Sequence, residues 1–179
     1  MMKRLLLISG FLFCATLYLM APTVQAQPEV RASPAAKVSQ TIGTTVVDIS
    51  YSRPGVKGRQ IFGDLVPWGQ PWRAGANEPT TFTFSNDVVI QGQPLEAGTY
   101  NFFVRPAESG DWEAIFTTEV RWGTQFDQAE PVLTVNVTPQ DAPAQEWLIY
   151  RFENLSPTSA DLILHWADKQ LPITIQVGN

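Results

Sequence analysis

The sequence predicts an all-β chain folded as an antiparallel β-sandwich, and three observations carry that expectation. Apolar and polar residues alternate with a period of two through most of the chain. Turn-forming residues punctuate these runs at hairpin-like spacing, and no stretch of ten or more residues shows a helical period. The runs number roughly eight to ten, and one sheet of that many strands would leave an apolar face and two edges uncovered. Two packed sheets solve both problems. A jelly-roll path is one version of that architecture, and a closed barrel is the runner-up.

The elements follow in order. Val47, Ile49 and Tyr51 share one strand face, with Val46, Asp48 and Ser50 on the other. Phe82 and Phe84 alternate with Thr81, Thr83 and Ser85. Asn86-Asp87 turns the chain into Val88 to Gln91, and Gly92 opens the next turn. Tyr100, Phe102 and Val104 oppose Asn101, Phe103 and Arg105, so that strand carries aromatic rings on both sides. Glu108 to Asp111 is a turn before the strand Trp112 to Thr117. Leu133, Val135 and Val137 alternate with Thr134, Asn136 and Thr138 until Pro139 stops the ladder. Leu148, Tyr150 and Phe152 form another stripe, then Leu162, Leu164 and Trp166, and lastly Leu171, Ile173, Ile175 and Val177.

One stretch breaks the pattern. Tyr51 to Thr80 packs three arginines, two tryptophans, four prolines and five glycines into an irregular segment with at most a short helix near Arg59 to Leu65. A loop this long between strands is specially ordered or functional rather than idle.

The N-terminus reads as an export signal. Lys3 and Arg4 precede the apolar run Leu5 to Ala21, and Val24-Gln25-Ala26 places small residues where a signal peptidase accepts them. Residues 1–26 are therefore expected to be a signal peptide cleaved before Gln27, with a transmembrane anchor as the alternative. A lipoprotein signal centred on Cys14 fits poorly, because Phe13 precedes it. Residues 27–34 read as a flexible leader and 35–179 as one β-sandwich domain of a periplasmic or secreted protein. Loss of the signal peptide removes the single cysteine, and with it disulfide, thiolate and cysteine-metal chemistry. It also removes Lys3 and Arg4, leaving ten basic residues against seventeen acids, a formal charge of −7. That balance argues against nucleic-acid partners and anionic membranes, and no membrane insertion is expected after cleavage. The oligomeric state is left open.

His165 is the one histidine and reads as an outward-facing strand residue, so a histidine-rich metal centre is excluded. No phosphate-cradling glycine motif is present. Asp64, Glu78, Asp87, Asp111 and Asp127 offer oxygen ligands, but none falls in a dense calcium loop. No metal or cofactor is expected. Asp64 and Glu78 flank the tryptophan-bearing loop and are candidates for the acid and base of a hydrolase acting on an envelope polymer or glycan.

The irregular stretch offers a more specific combination. Arg53, Arg59 and Arg73 supply charged forks for carboxylate, sulfate or phosphate groups. Trp68 and Trp72 supply flat faces for a sugar ring. Asn77 and Glu78 add an amide and a carboxylate. Together they suit a pocket for a small anionic or carbohydrate-like ligand in a non-catalytic binding module. The architectural reading uses the same residues to lock the loop, with Arg73 or Arg59 paired to Glu78, and would make the chain a structural or protein-interaction module.

The boxes in this stretch also carry a resemblance. Tyr-Ser-Arg-Pro at Tyr51 to Pro54 and Gly-Arg-Gln-Ile-Phe-Gly at Gly58 to Gly63 come first. Trp-Arg-Ala-Gly-Ala-Asn-Glu at Trp72 to Glu78 and Leu-Glu-Ala-Gly-Thr-Tyr at Leu95 to Tyr100 follow. In this order they resemble the secreted bacterial family known as domain of unknown function 2911, from about Ser33 to the C-terminus. The resemblance implies export and supplies no reaction. One departure stands out: where family members often carry Asp-Val-Leu-Arg-Val, this chain has Pro131 to Val135, with Arg121 and Glu130 as nearby charges.

Overall fold

The computed structural model describes residues 30–118 and 131–178. The expectations placed on residues 1–26, on Cys14 and the cleavage before Gln27, on residues 27–29, and on Arg121, Asp127 and Glu130 lie outside the described residues.

Among the described residues there are ten strands: β1 (Ala35–Ile42), β2 (Thr45–Ser52), β3 (Thr81–Phe84), β4 (Val88–Ile90), β5 (Gln93–Leu95), β6 (Gly98–Arg105), β7 (Trp112–Thr117), β8 (Pro131–Val137), β9 (Gln140–Glu153) and β10 (Ser159–Val177). They form two antiparallel sheets packed as a sandwich, ordered β1-β2-β3-β6-β7-β8 and β5-β4-β10-β9. Consecutive strands mostly pair as hairpins within one sheet, so the path is a meander with excursions between sheets and not the alternating path of a jelly roll.

The period-two pattern sets which face is buried. Val47, Ile49 and Tyr51 of β2, Phe82 and Phe84 of β3, and Tyr100, Phe102 and Val104 of β6 all point into the interior. Leu162, Leu164 and Trp166 of β10 face them from the smaller sheet. Phe82 lies 4.4 Å from Phe102 and 5.5 Å from Phe116 between ring centroids, the middle of the aromatic core.

The two final stripes of the sequence belong to one strand, β10, which stays continuous across Ala167 to Gln170. Its ladder with β9 shifts register on both sides of Ala167. At each shift β9 uses four residues where β10 uses two, from Ile149 to Gln145 and from Gln145 to Asp141, so β9 bows outward.

His165 corrects the sequence expectation. It is 7% exposed, with Nε2 held 2.9 Å from the Pro143 carbonyl and Nδ1 3.1 Å from Arg151. The bowed segment of β9 brings Pro143 back to the ring, which is why a nominally outward residue is covered.

Candidate functional site

The irregular stretch closes one end of the sandwich. Its first part runs along the free edge of β9: Val56 N–H donates to Glu146 O at 2.8 Å, and Leu148 N–H donates to Pro54 O at 3.0 Å. Its later part continues the place of β3 beside β6, where Trp72 and Val104 exchange both backbone hydrogen bonds at 2.8 Å. Between these anchors Ile61, Phe62 and Val66 are buried in the core, as is Ala74 just beyond the second. The described part of the stretch contains turns and no helix.

Phe62 is the hub of this closure. Its ring lies 4.8 Å from Trp112, 6.3 Å from Trp72 and Trp166, and 6.4 Å from Trp68. Trp72 stacks on Trp166 at 5.5 Å and donates its indole N–H to Gly75 O at 3.2 Å. Trp72 is thereby committed to packing. Trp68 differs: one side is backed by Phe62, while the half-buried ring also lines a cleft.

That cleft measures about 550 Å³ and lies between residues 56–68 of the loop, the bowed part of β9 (144–146) and residues 167–169 of β10. Of the residues singled out in the sequence it holds Arg59 and Trp68, joined by Gln60, Gln145, Glu146, Asp168 and Lys169. The tryptophan ring is set by close approach: a Cβ on Gly63, whose φ is +90°, would sit 2.6 Å from Trp68 Nε1.

The remaining candidates gather elsewhere. Glu78 pairs with Arg31 and accepts from Ser52 Oγ at 3.1 Å, beside a shallow depression shared with Lys37 and Ser50. The expected pairing of Glu78 with Arg73 or Arg59 is therefore replaced by one with Arg31, a residue of the predicted leader. The Arg31 guanidinium, then Glu78's own backbone N–H, hold this carboxyl below its usual range. Asn77 donates to Ser33 O at 2.9 Å, and Arg53 N–H donates to Pro34 O at 2.8 Å. The Arg53 side chain donates to Leu148 O at 2.9 Å. These four contacts fasten residues 31–34 and β9 to the loop.

Arg73 is half-buried, and its Nε is buried with no hydrogen-bond partner among the described residues. Asp64 is exposed on the turn after Gly63 and does not line the cleft. Neither Glu78 nor Asp64 thus lines the cleft that holds Trp68. No group of three or more metal-ligating side chains occurs among the described residues.

The sequence reading missed the β9 and β10 contributions. No strand is assigned from the sequence to residues 140–146 or to residues 167–170. The available signal was the break in alternation itself, since a polar interruption inside a long stripe is what a bulge produces.

A search of the curated proteins finds no match, and neither does a search of the solved structures. A family model does match, over residues 33–175, the greater part of the chain. On this sequence and this fold, the chain belongs to the family described as Protein of unknown function (DUF2911).

Proposed function

We propose that this protein is a non-catalytic binding module whose cleft beside the closing loop takes a carbohydrate-like ligand. The observation that supports this most is Trp68: a core-backed aromatic face lining a cleft of about 550 Å³ that mixes apolar and polar side chains. Such a ring is held rigid before binding, so stacking a sugar on it carries little ordering cost. Arg59 and the glutamine amides supply the polar rim.

Arg53, Asn77 and Glu78 serve in this reading as fasteners of the N-terminal segment, and Trp72 as part of the core. The hydrolase reading draws no support from the geometry, because Glu78 is ion-paired and Asp64 stands apart on an exposed turn. Export to the periplasm or beyond is part of the proposal and rests on the N-terminal sequence alone. Fractionation of cells expressing the full chain tests it.

The binding reading is tested on immobilised glycans with wild type and Trp68→Ala, both checked for folding by circular dichroism. Wild-type binding that the substitution removes supports the proposal. Binding that survives the substitution moves the site elsewhere.

A further inference from the structure

We infer that the cleft selects an uncharged, hydroxyl-rich ligand over an anionic one, a neutral saccharide in preference to an acidic one, and that Asp168 determines the choice. The inference rests on the binding reading above and narrows it.

The hydrogen bonds already made around the cleft decide which groups are left for a ligand. Each of its charged and amide donor side chains already makes at least one bond within the protein. Arg59 gives Nε to Val56 O at 3.0 Å and a terminal nitrogen to Gly55 O at 2.6 Å. Lys169 is paired with Asp141. The amide nitrogens of Gln60 and Gln145 donate to Phe62 O at 3.4 Å and Trp147 O at 3.0 Å.

Most of the acceptors are not committed. Glu146 accepts Lys57 N–H at 3.0 Å through Oε1 only. The exposed Asp168 carboxylate makes no hydrogen bond or ion pair among the described residues. The amide oxygens of Gln60 and Gln145 likewise carry no bond there. Unpaired carboxylate and amide oxygens beside partly used N–H groups complement a ligand that both donates and accepts, and vicinal hydroxyls can donate to both oxygens of a carboxylate.

Charge points the same way. Arg59 and Lys169 are matched in the cleft by Glu146 and Asp168, and Asp141 lies against Lys169. An anion entering here gives up its water for a site with no surplus of positive charge. A hydroxyl only exchanges one hydrogen-bonding partner for another.

The backbone at Asp168 is also held in place by its surroundings. Ala167 before it has a φ of +52°, a left-handed conformation uncommon outside glycine, and the β9–β10 ladder breaks on both sides of it. His165 on one side is pinned through both ring nitrogens, and Lys169 and Gln170 on the other are bonded to Asp141 and Gln140. These anchors fix the backbone from which the Asp168 side chain projects.

The test is titration calorimetry of the full-length mature protein with neutral glucan, mannan and xylan oligosaccharides, and with oligogalacturonate as the acidic probe. Wild type, Asp168→Asn and Trp68→Ala are compared at matched thermal stability; Asp168 is exposed, so its amide variant is expected to fold. The inference predicts binding of at least one neutral oligosaccharide and affinity for oligogalacturonate weaker by about tenfold or more. Asp168→Asn should weaken the neutral ligand by about tenfold and narrow the gap to the acidic one. Oligogalacturonate bound as tightly as the neutral probes, or a neutral ligand unaffected by Asp168→Asn but lost in Trp68→Ala, overturns the selectivity and leaves the binding reading standing. No saccharide bound by folded wild type overturns both.

Discussion

Phe62 of the irregular loop lies 4.8 Å from Trp112 of β7, ring centroid to ring centroid, and both are buried. A residue from the one stretch without strand periodicity is therefore built into the aromatic core. The loop is a lid on the sandwich, and the cleft is a by-product of how that lid meets β9 and β10.

Phe62→Ala should cost about 3–5 kcal/mol of stability, because the cavity it leaves is walled by four tryptophans that cannot all collapse into it. Trp68→Ala should cost less, since that ring is half-buried. Denaturant midpoints of the two variants check the order. A larger loss from Trp68→Ala would show that the lid is held from the cleft side.

Gly63→Ala places a Cβ 2.6 Å from Trp68 Nε1 at a φ of +90°. The substitution should cost more than about 1 kcal/mol and should displace the indole from its stacking position. A change in tryptophan fluorescence together with weaker saccharide binding is the expected result.

Tyr150 donates its hydroxyl to Ala74 O at 2.8 Å and is buried, and burial first, then Tyr51, pushes its phenol well above the ordinary value. Its raised folded pKa contributes stability that is full below the unfolded value of about 10 and is lost as pH rises from there through the folded value. Tyr150→Phe should cost about 1 kcal/mol at neutral pH, with Ala74 O still accepting from Thr80 Oγ1 at 3.3 Å. It should also flatten the alkaline decline, as read from unfolding midpoints against pH.

Glu78 behaves in the opposite sense. Held below its usual range by Arg31, it contributes stability above the unfolded value of about 4.3 that disappears as pH falls through the folded value. The gap between wild type and Glu78→Gln should be small at neutral pH, because the pair is solvent-screened, and should close on acidification. A gap that widens in acid would contradict this pairing.

Much of the fold was legible in the sequence, because each interior stripe shows a period of two and each is buried as that period requires. β1 was missed: most of its residues from Ala35 to Ile42 are small or polar, and as an edge strand it buries only Ile42 fully. The first half of β9 was missed for a related reason. It is exposed and carries Pro143, which an edge strand tolerates.

The site was only partly legible. Trp68 and Arg59 announce themselves by residue type, whereas Glu146 and Asp168 enter the cleft through bulges that depend on pairing between distant segments. Trp72 and Glu78 looked like ligand groups, but their partners Trp166 and Arg31 are far away in sequence.

The most direct measurement is a two-dimensional NMR titration of the labelled protein with the neutral oligosaccharide that binds best in calorimetry. The account predicts shifts concentrated on the Trp68 indole N–H and the backbone amides of Gln60, Gln145 and Asp168. Shifts centred on Asn77 and Glu78, with Trp68 and Asp168 unmoved, would contradict it.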